Sequence, residues 1–246
     1  MFFIVNDGAN PDSPFYDKRV RDAVSYAINS AELAMTVGRG VYEPLSQFAY
    51  PESWAYNPKV TGYPFNPEKA RQLLVEAGYR NGFDTILYDT PGSNPVFMQS
   101  VQGYLQEVGI YAKIQVGTLA QAIERDSKGW TNGLMNANIV LDAATDPAQA
   151  LRSSFSSMSG RYVSVLHPKE LEDKLAQAIV ELDFAKRKAL LQEIQALVMD
   201  KYDTITCAYL VKDMAVKYEP DRFQDLRYFE EPSYPRWRPD IVWRKK

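Results

Sequence analysis

The 246-residue sequence holds one cysteine, Cys207, and one histidine, His167. Those two shortages exclude more than any motif in the chain does. A single cysteine forbids an internal disulfide, and one His with one Cys cannot assemble a zinc site of the usual kinds. Long apolar runs are also lacking. Phe2–Val5 and Ile139–Leu141 fall far short of the roughly 20 residues that a membrane-spanning helix requires. Met1–Val5 has no basic head, extended apolar stretch or small-residue cleavage site, so it is expected to be a strand rather than a leader. Neither sign of charge dominates: the formal net charge is -3 and the pI about 5.4, which leaves no basic field for nucleic acid.

Motifs for catalysis are equally scarce. No Walker sequence occurs, and Gly38-Arg39-Gly40 lacks the rest of a phosphate-cradling loop. Gly129-Trp130-Thr131-Asn132-Gly133 has the spacing of a nucleophile elbow with Thr131 at its centre. An apolar strand follows it, however, where the elbow needs a helix. His167 precedes Pro168 at a helix start, which suits a capping or surface role, and Cys207 sits in an apolar strand as an inert thiol. The chain is expected not to be an enzyme, and no cofactor is implied.

What is present is an ordinary globular composition, 46% hydrophobic and 24% charged, with an unusual 13% aromatic content that includes 16 Tyr. A body of this length buries about 70% of its unfolded surface.

Periodicity and punctuation mark out the elements. Val20, Ala23, Val24 and Ala27 lie at helical spacing within a helix from Asp17 to about Ser30, and a short helix over Ala31–Val37 ends at Gly38. From Val41 to Phe65, Pro44, Pro51, Pro58 and Pro64 exclude a long helix or a central strand, while the aromatics among them predict a packed, ordered loop. Asn66 caps a helix with Pro67 in its first turn and Gly78 after its end. Thr85–Tyr88 and Ile110–Val116 read as strands, with a helix over Val96–Val108 between them. Thr118 and Gln121 have capping-box spacing for a helix ending near Gly129. The strand Leu134–Leu141 comes next, and then a helix from Asp146-Pro147 to about Phe155, with Asp146 as its cap. Two further helical stripes, Leu171–Leu182 and Ala189–Val198, the second capped by Asp183, precede a strand over Ile205–Val211. Strand, helix, strand, helix, strand predicts an α/β fold with crossover units packed on a sheet.

The candidate site is Asn132 to Arg152. Strand alternation puts Asn136, Asn138, Val140 and Asp142 on one face and Met135, Ala137, Ile139 and Leu141 on the other. Two amides in an apolar strand are costly without partners; they either bond neighbouring backbone or water, or they meet a ligand. Trp130 is a candidate for stacking on that ligand, with Trp54 and Tyr56 behind it. Tyr88 and Thr90 stand at a strand end, the lip of an open α/β sheet where ligands gather. Arg19 and Arg21, two positions apart on a helix, face different ways and are expected to serve packing and pairing within the domain.

Four stretches carry a family resemblance, one of them the strand start Gly109-Ile110. Pro14-Phe15-Tyr16-Asp17-Lys18-Arg19-Val20-Arg21-Asp22-Ala23 runs into Tyr26-Ala27-Ile28-Asn29. Asn66-Pro67-Glu68-Lys69-Ala70 leads to Leu73-Leu74-Val75-Glu76-Ala77-Gly78-Tyr79, and Asp146-Pro147 ends a loop. Together, and in this order, they resemble the bacterial extracellular solute-binding proteins of family 5, which deliver peptides, nickel and related solutes to ABC transporters. In that family the first motif sits near the middle of a longer chain.

The resemblance implies a mixed sheet with flanking helices, in the manner of a type II periplasmic binding protein lobe. Residues 1–217 would form the second lobe of a two-lobed receptor, with the N-terminal lobe absent. Residues 218–246 would be a Pro- and aromatic-rich tail that returns to that first lobe. It further implies capture of a small solute (oligopeptide, dipeptide or metal chelate), ABC permease subunits as partners, and a periplasmic or extracellular location, for which a lipoprotein tether is one option. Half a cleft would bind no peptide or nickel tightly on its own. Ligand contacts are expected from Asn136, Asn138, Asp142, Trp130, Tyr88 and Thr90. At the position where peptide-binding relatives carry an acid for a ligand's amino group, this chain has Ala143. The alternative reading is the solute-sensing lobe of a cytoplasmic regulator.

Overall fold

A computed structural model describes residues 2–38, 42–49, 51, 53–90, 93–138, 147–201, 205–211, 223–224 and 243–244. Six strands form one mixed sheet in the order β2-β6-β1-β5-β3-β4. They are β1 (Phe2–Asn6), β2 (Tyr42–Leu45), β3 (Phe83–Asp89), β4 (Ile110–Val116), β5 (Gly133–Asn138) and β6 (Ile205–Val211). β4 and β5 flank β3 and run parallel to it, as crossover connections require. β1 is antiparallel to both β5 and β6. The strand expected at the start of the sequence is found as Phe2–Asn6, and its place is the middle of the sheet.

Helices cover both faces. On one face α1 (Lys18–Ala27), α3 (Pro67–Glu76) and α4 (Pro95–Glu107) pack on Ile4, Leu87, Ile110, Ala112 and Leu134. On the other, α6 (Pro147–Phe155), α7 (Lys169–Val180) and α8 (Phe184–Ala196) enclose Phe3, Val5, Tyr88, Met135 and Ala137. Strand alternation accounts for the split, since odd and even positions of each strand feed opposite cores. Each fully buried aliphatic side chain contributes about 1.5–3 kcal/mol to holding these layers together.

The predicted punctuation is found. The Asn66 side chain accepts from the Lys69 N–H at 2.9 Å, and Asp183 from the Lys186 N–H at 2.9 Å. Thr118 and Gln121 make both bonds of a capping box ahead of α5 (Leu119–Lys128). α2 (Ser30–Gly38) follows α1 directly, as read. The helix cap expected at Asp146, and the tail apart from a two-residue pairing of β7 (Phe223–Gln224) with β8 (Trp243–Arg244), lie outside the described residues.

Two expectations need correction. The proline-rich stretch is not all loop: β2 spans Tyr42–Leu45 and includes Pro44. Pro44 is tolerated because β2 is an edge strand, where a missing N–H deprives no neighbour of a bond. His167 neither caps α7 nor lies on the surface. Pro168 holds the N-cap position, and His167 Nδ1 lies 2.9 Å from the Phe155 carbonyl at the end of α6.

Candidate functional site

The sheet has one end at which the chemistry collects. β3, β4 and β5 finish there, at Asp89, Val116 and Asn138. β1 begins there, since Phe2 pairs with Asn138, and β6 ends there, since Phe2 also pairs with Tyr209. The Gly117 N–H donates to the Asp89 carbonyl at 3.2 Å, which ties β4 to β3 at this rim.

Asn136 is buried on the β5 face that it shares with Leu134. Its partner is Asp89: Asn136 Nδ2 donates to Asp89 Oδ1 at 3.0 Å. The same oxygen accepts the Thr90 N–H at 2.8 Å, and Asp89 Oδ2 accepts the Ser93 hydroxyl at 2.5 Å. Asn94 then caps α4, accepting from the Val96 N–H at 3.0 Å. Rim, turn and helix start are thus one hydrogen-bonded unit. Thr90 and Ser93 are half-buried within it.

Tyr88 and Trp130 are not brought to this cluster. Tyr88 points to the opposite face, and its hydroxyl donates to the Thr131 carbonyl at 3.4 Å, so the ring runs back from the rim toward the start of β5. The Arg125 guanidinium lies 4.8 Å above that ring. Burial raises the Tyr88 phenol above its ordinary pKa, with the Arg125 charge opposing and Asp7 reinforcing the rise. Trp130 precedes β5 at the far end of the sheet; it is buried, and its Nε1 donates to the Gly133 carbonyl at 2.9 Å. Trp54 and Tyr56 pack against the same core. Asn138 is the last residue of β5, while Asp142 and Ala143 lie outside the described residues.

Asp89 is the rim residue that sequence reading did not single out. The signal was available: Thr85, Leu87 and Asp89 share a strand face, so an acid at the third position had to be buried or at a strand end. At the far end, the buried Asp7 carboxyl accepts the Ser13 hydroxyl at 2.6 Å. Burial pushes its pKa up, against the lowering by Ser13 and by the backbone of Gly133 and Asn132. Arg19 and Arg21 serve within the domain. Arg19 pairs with Asp17 and caps α3 through the Glu76 carbonyl at 2.6 Å, and Arg21 donates to the Phe15 and Tyr16 carbonyls.

Among the described residues no group of three or more His, Cys, Asp or Glu is placed to hold a metal ion, and no helix is long and apolar enough to cross a membrane. Open grooves of about 450 Å³ and 320 Å³ lie away from the rim, against the starts of β3 and β4 and the β4 edge.

Known proteins are similar to this chain in sequence and in fold. The glutathione-binding protein GsiB of Shigella dysenteriae is 32% identical over 194 residues, which is 75% of this chain and 38% of the relative. The dipeptide-binding protein of Escherichia coli is 27% identical over 226 residues, 89% of this chain and 41% of the relative. The periplasmic binding protein DppA from Helicobacter pylori, solved in complex with the peptide STSA, superposes with a TM-score of 0.76 at 24% identity. That match takes in 85% of this chain and 41% of the solved one. The chain therefore spans about two fifths of the length of the relatives it matches. Residues 1–161 match the model of the bacterial extracellular solute-binding proteins, family 5 Middle, and the chain belongs to that family.

Proposed function

We propose that this chain is the second lobe of a two-lobed receptor that feeds an ABC importer. The receptor takes an oligopeptide, dipeptide or similar small solute, a metal chelate included, between this lobe and a first lobe, and passes it to the permease subunits. The observation that carries the reading is the rim. Three parallel strand ends meet there beside the antiparallel pair β1 and β6, in a chain that spans about two fifths of binding proteins whose names specify glutathione and dipeptides. β1 begins and β6 ends at that rim side by side, Phe2 opposite Tyr209. Two adjacent strands that meet one edge suit a hinge about which two rigid bodies close on a solute.

In this reading Thr90, Asn136 and Asn138 supply polar contacts from the strand ends, on a largely apolar wall, and Asp142 is a further contact. Tyr88 and Trp130, buried with their polar atoms engaged, keep that wall rigid behind the contact surface. Residues 1–217 form the lobe and 218–246 a tail that packs on the first lobe. The protein acts outside the cytoplasmic membrane, tethered as a lipoprotein, and performs no catalysis. Nothing among the relatives named above favours a cytoplasmic regulator.

The test is calorimetry on the two-lobed protein that carries this chain, with Met-Leu, Ser-Thr-Ser-Ala and glutathione as probes. Micromolar or tighter binding of at least one is expected; heat from none of them would overturn the reading.

A further inference from the structure

We propose that the turn between α7 and α8 is a tip that docks on an anionic lipid surface. It uses none of the rim residues and goes beyond the solute-binding reading. α7 ends at Val180 and α8 starts at Phe184, so Glu181, Leu182 and Asp183 alone connect the two helices. Val180 is 73% exposed, Leu182 97% and Phe184 61%. None of the three belongs to either core. The backbone is extended at both Glu181 (φ -69°, ψ 121°) and Asp183 (φ -73°, ψ 117°). Side chains therefore alternate through the turn, with Val180, Leu182 and Phe184 on one side and the two acids on the other. The acids turn back on the chain: Glu181 Oε1 accepts the Asp183 N–H at 2.8 Å, and Asp183 Oδ1 the Lys186 N–H at 2.9 Å. Trp54 is half-buried against Phe184, their ring centroids 5.1 Å apart.

Charge beside the tip decides the occupant. Arg187 and Lys188 follow Phe184 by three and four positions and so lie on its face of α8, with Lys186 just before them. Arg187 Nε donates to the Ala178 carbonyl at 2.8 Å, which holds that cation at the end of α7. Lys186 and Lys188 are exposed, and among the described residues neither forms an ion pair. Protruding apolar side chains, an aromatic pair at their base and cations beside them suit an interfacial lipid contact. The apolar groups enter the acyl boundary, and the lysine stems lie along it with their ammonium groups at anionic headgroups. A protein partner would require roughly 800 Å² of matched surface from each side, and three side chains on one turn fall short of that.

The experiment is cosedimentation of the two-lobed protein, prepared without lipid modification, with two kinds of vesicle. One holds phosphatidylglycerol and phosphatidylcholine in equal parts, the other phosphatidylcholine alone. Binding to the anionic vesicles is expected to be about tenfold tighter or more, and to weaken with added salt. Leu182→Ser, at a side chain in open solvent, should leave the melting temperature unchanged and lower that affinity about tenfold. Lys186→Glu combined with Lys188→Glu should remove the preference for anionic vesicles. Both variants should bind solute as the parent does. Failure to sediment with the anionic vesicles overturns the inference and leaves the solute-binding reading standing. Sedimentation that both variants retain in full overturns it too. So does self-association, or capture by detergent-solubilised permease subunits, that Leu182→Ser abolishes in the absence of vesicle binding, since the tip would then belong to a protein partner.

Discussion

Gln47 holds both backbone groups of Asn57: its Oε1 accepts the Asn57 N–H at 2.8 Å and its Nε2 donates to the Asn57 carbonyl at 2.8 Å. Nε2 also reaches the Val60 carbonyl at 3.3 Å, and Gln47 is fully buried. One side chain thereby does for a proline-rich segment what a neighbouring strand does for β2. Gln47→Leu leaves a buried N–H and carbonyl bare, and is expected to cost about 2–4 kcal/mol. Urea unfolding of the two chains, compared at constant slope, measures it; a loss below 1 kcal/mol would remove Gln47 as the fastener.

Asp7 makes stability depend on pH. Its folded pKa lies above the ordinary value of 3.8 because burial disfavours the charged form. The folded state therefore binds the Asp7 proton more tightly than the unfolded chain does. The contribution is fully present below about 3.8 and is lost as pH rises through the higher folded value. Relative to Asp7→Asn, the wild type should gain stability as pH is lowered from 7 toward 4. Parallel thermal melts over that range check the sign, and a wild-type advantage that shrinks on acidification contradicts it.

Gly82 and Gly109 come too close for a side chain. Gly82 has φ +75°, and a Cβ placed on it would stand 2.1 Å from the Gly109 carbonyl oxygen, the acceptor for the Phe83 N–H. Gly82→Ala combines a left-handed backbone with a backbone clash at the start of β3. A loss of about 3 kcal/mol or more is expected. Gly78→Ala, with φ +96° but open space around it, isolates the conformational part and should cost less.

Two arginines make similar bonds in different surroundings. Arg21 is buried and donates to the Phe15 and Tyr16 carbonyls at 2.8 and 2.9 Å. Arg71 is exposed and donates to the Glu107 carbonyl at the end of α4, from Nη2 at 3.1 Å and Nε at 3.2 Å. Arg21→Ala is expected to cost about 3 kcal/mol or more, since buried carbonyls lose their donor and a cavity remains. Arg71→Ala should cost no more than about 1 kcal/mol. Chemical denaturation of both variants compares them, and equal losses would show that burial does not set the difference.

The pattern of legible and illegible features follows range along the chain. Asn66, Thr118 and Asp183 cap helices within three residues of themselves, so local spacing sufficed to place them. Crossover punctuation likewise foretold that β3 and β4 run parallel. The order of strands was illegible, because β1 reaches the centre only through pairings with segments more than a hundred residues away. Alternation placed Asn136 on its face but could not name Asp89, 47 positions earlier, as its partner. For Tyr88, alternation fixes a face and not the lean of the side chain, which runs from the rim to Thr131. His167 read as a capping or surface residue because its acceptor, the Phe155 carbonyl, belongs to the preceding helix.

The central claim, that this chain supplies one wall of a two-walled cleft, is tested most directly by titrating Met-Leu into the 246-residue chain alone and into the two-lobed protein side by side. Without the opposing wall the chain forfeits about half the contacts and the whole of the closure energy, so its affinity should be weaker by roughly a thousandfold or more. Equal affinity in the two titrations would mean that this polypeptide encloses its solute unaided, and would contradict the account.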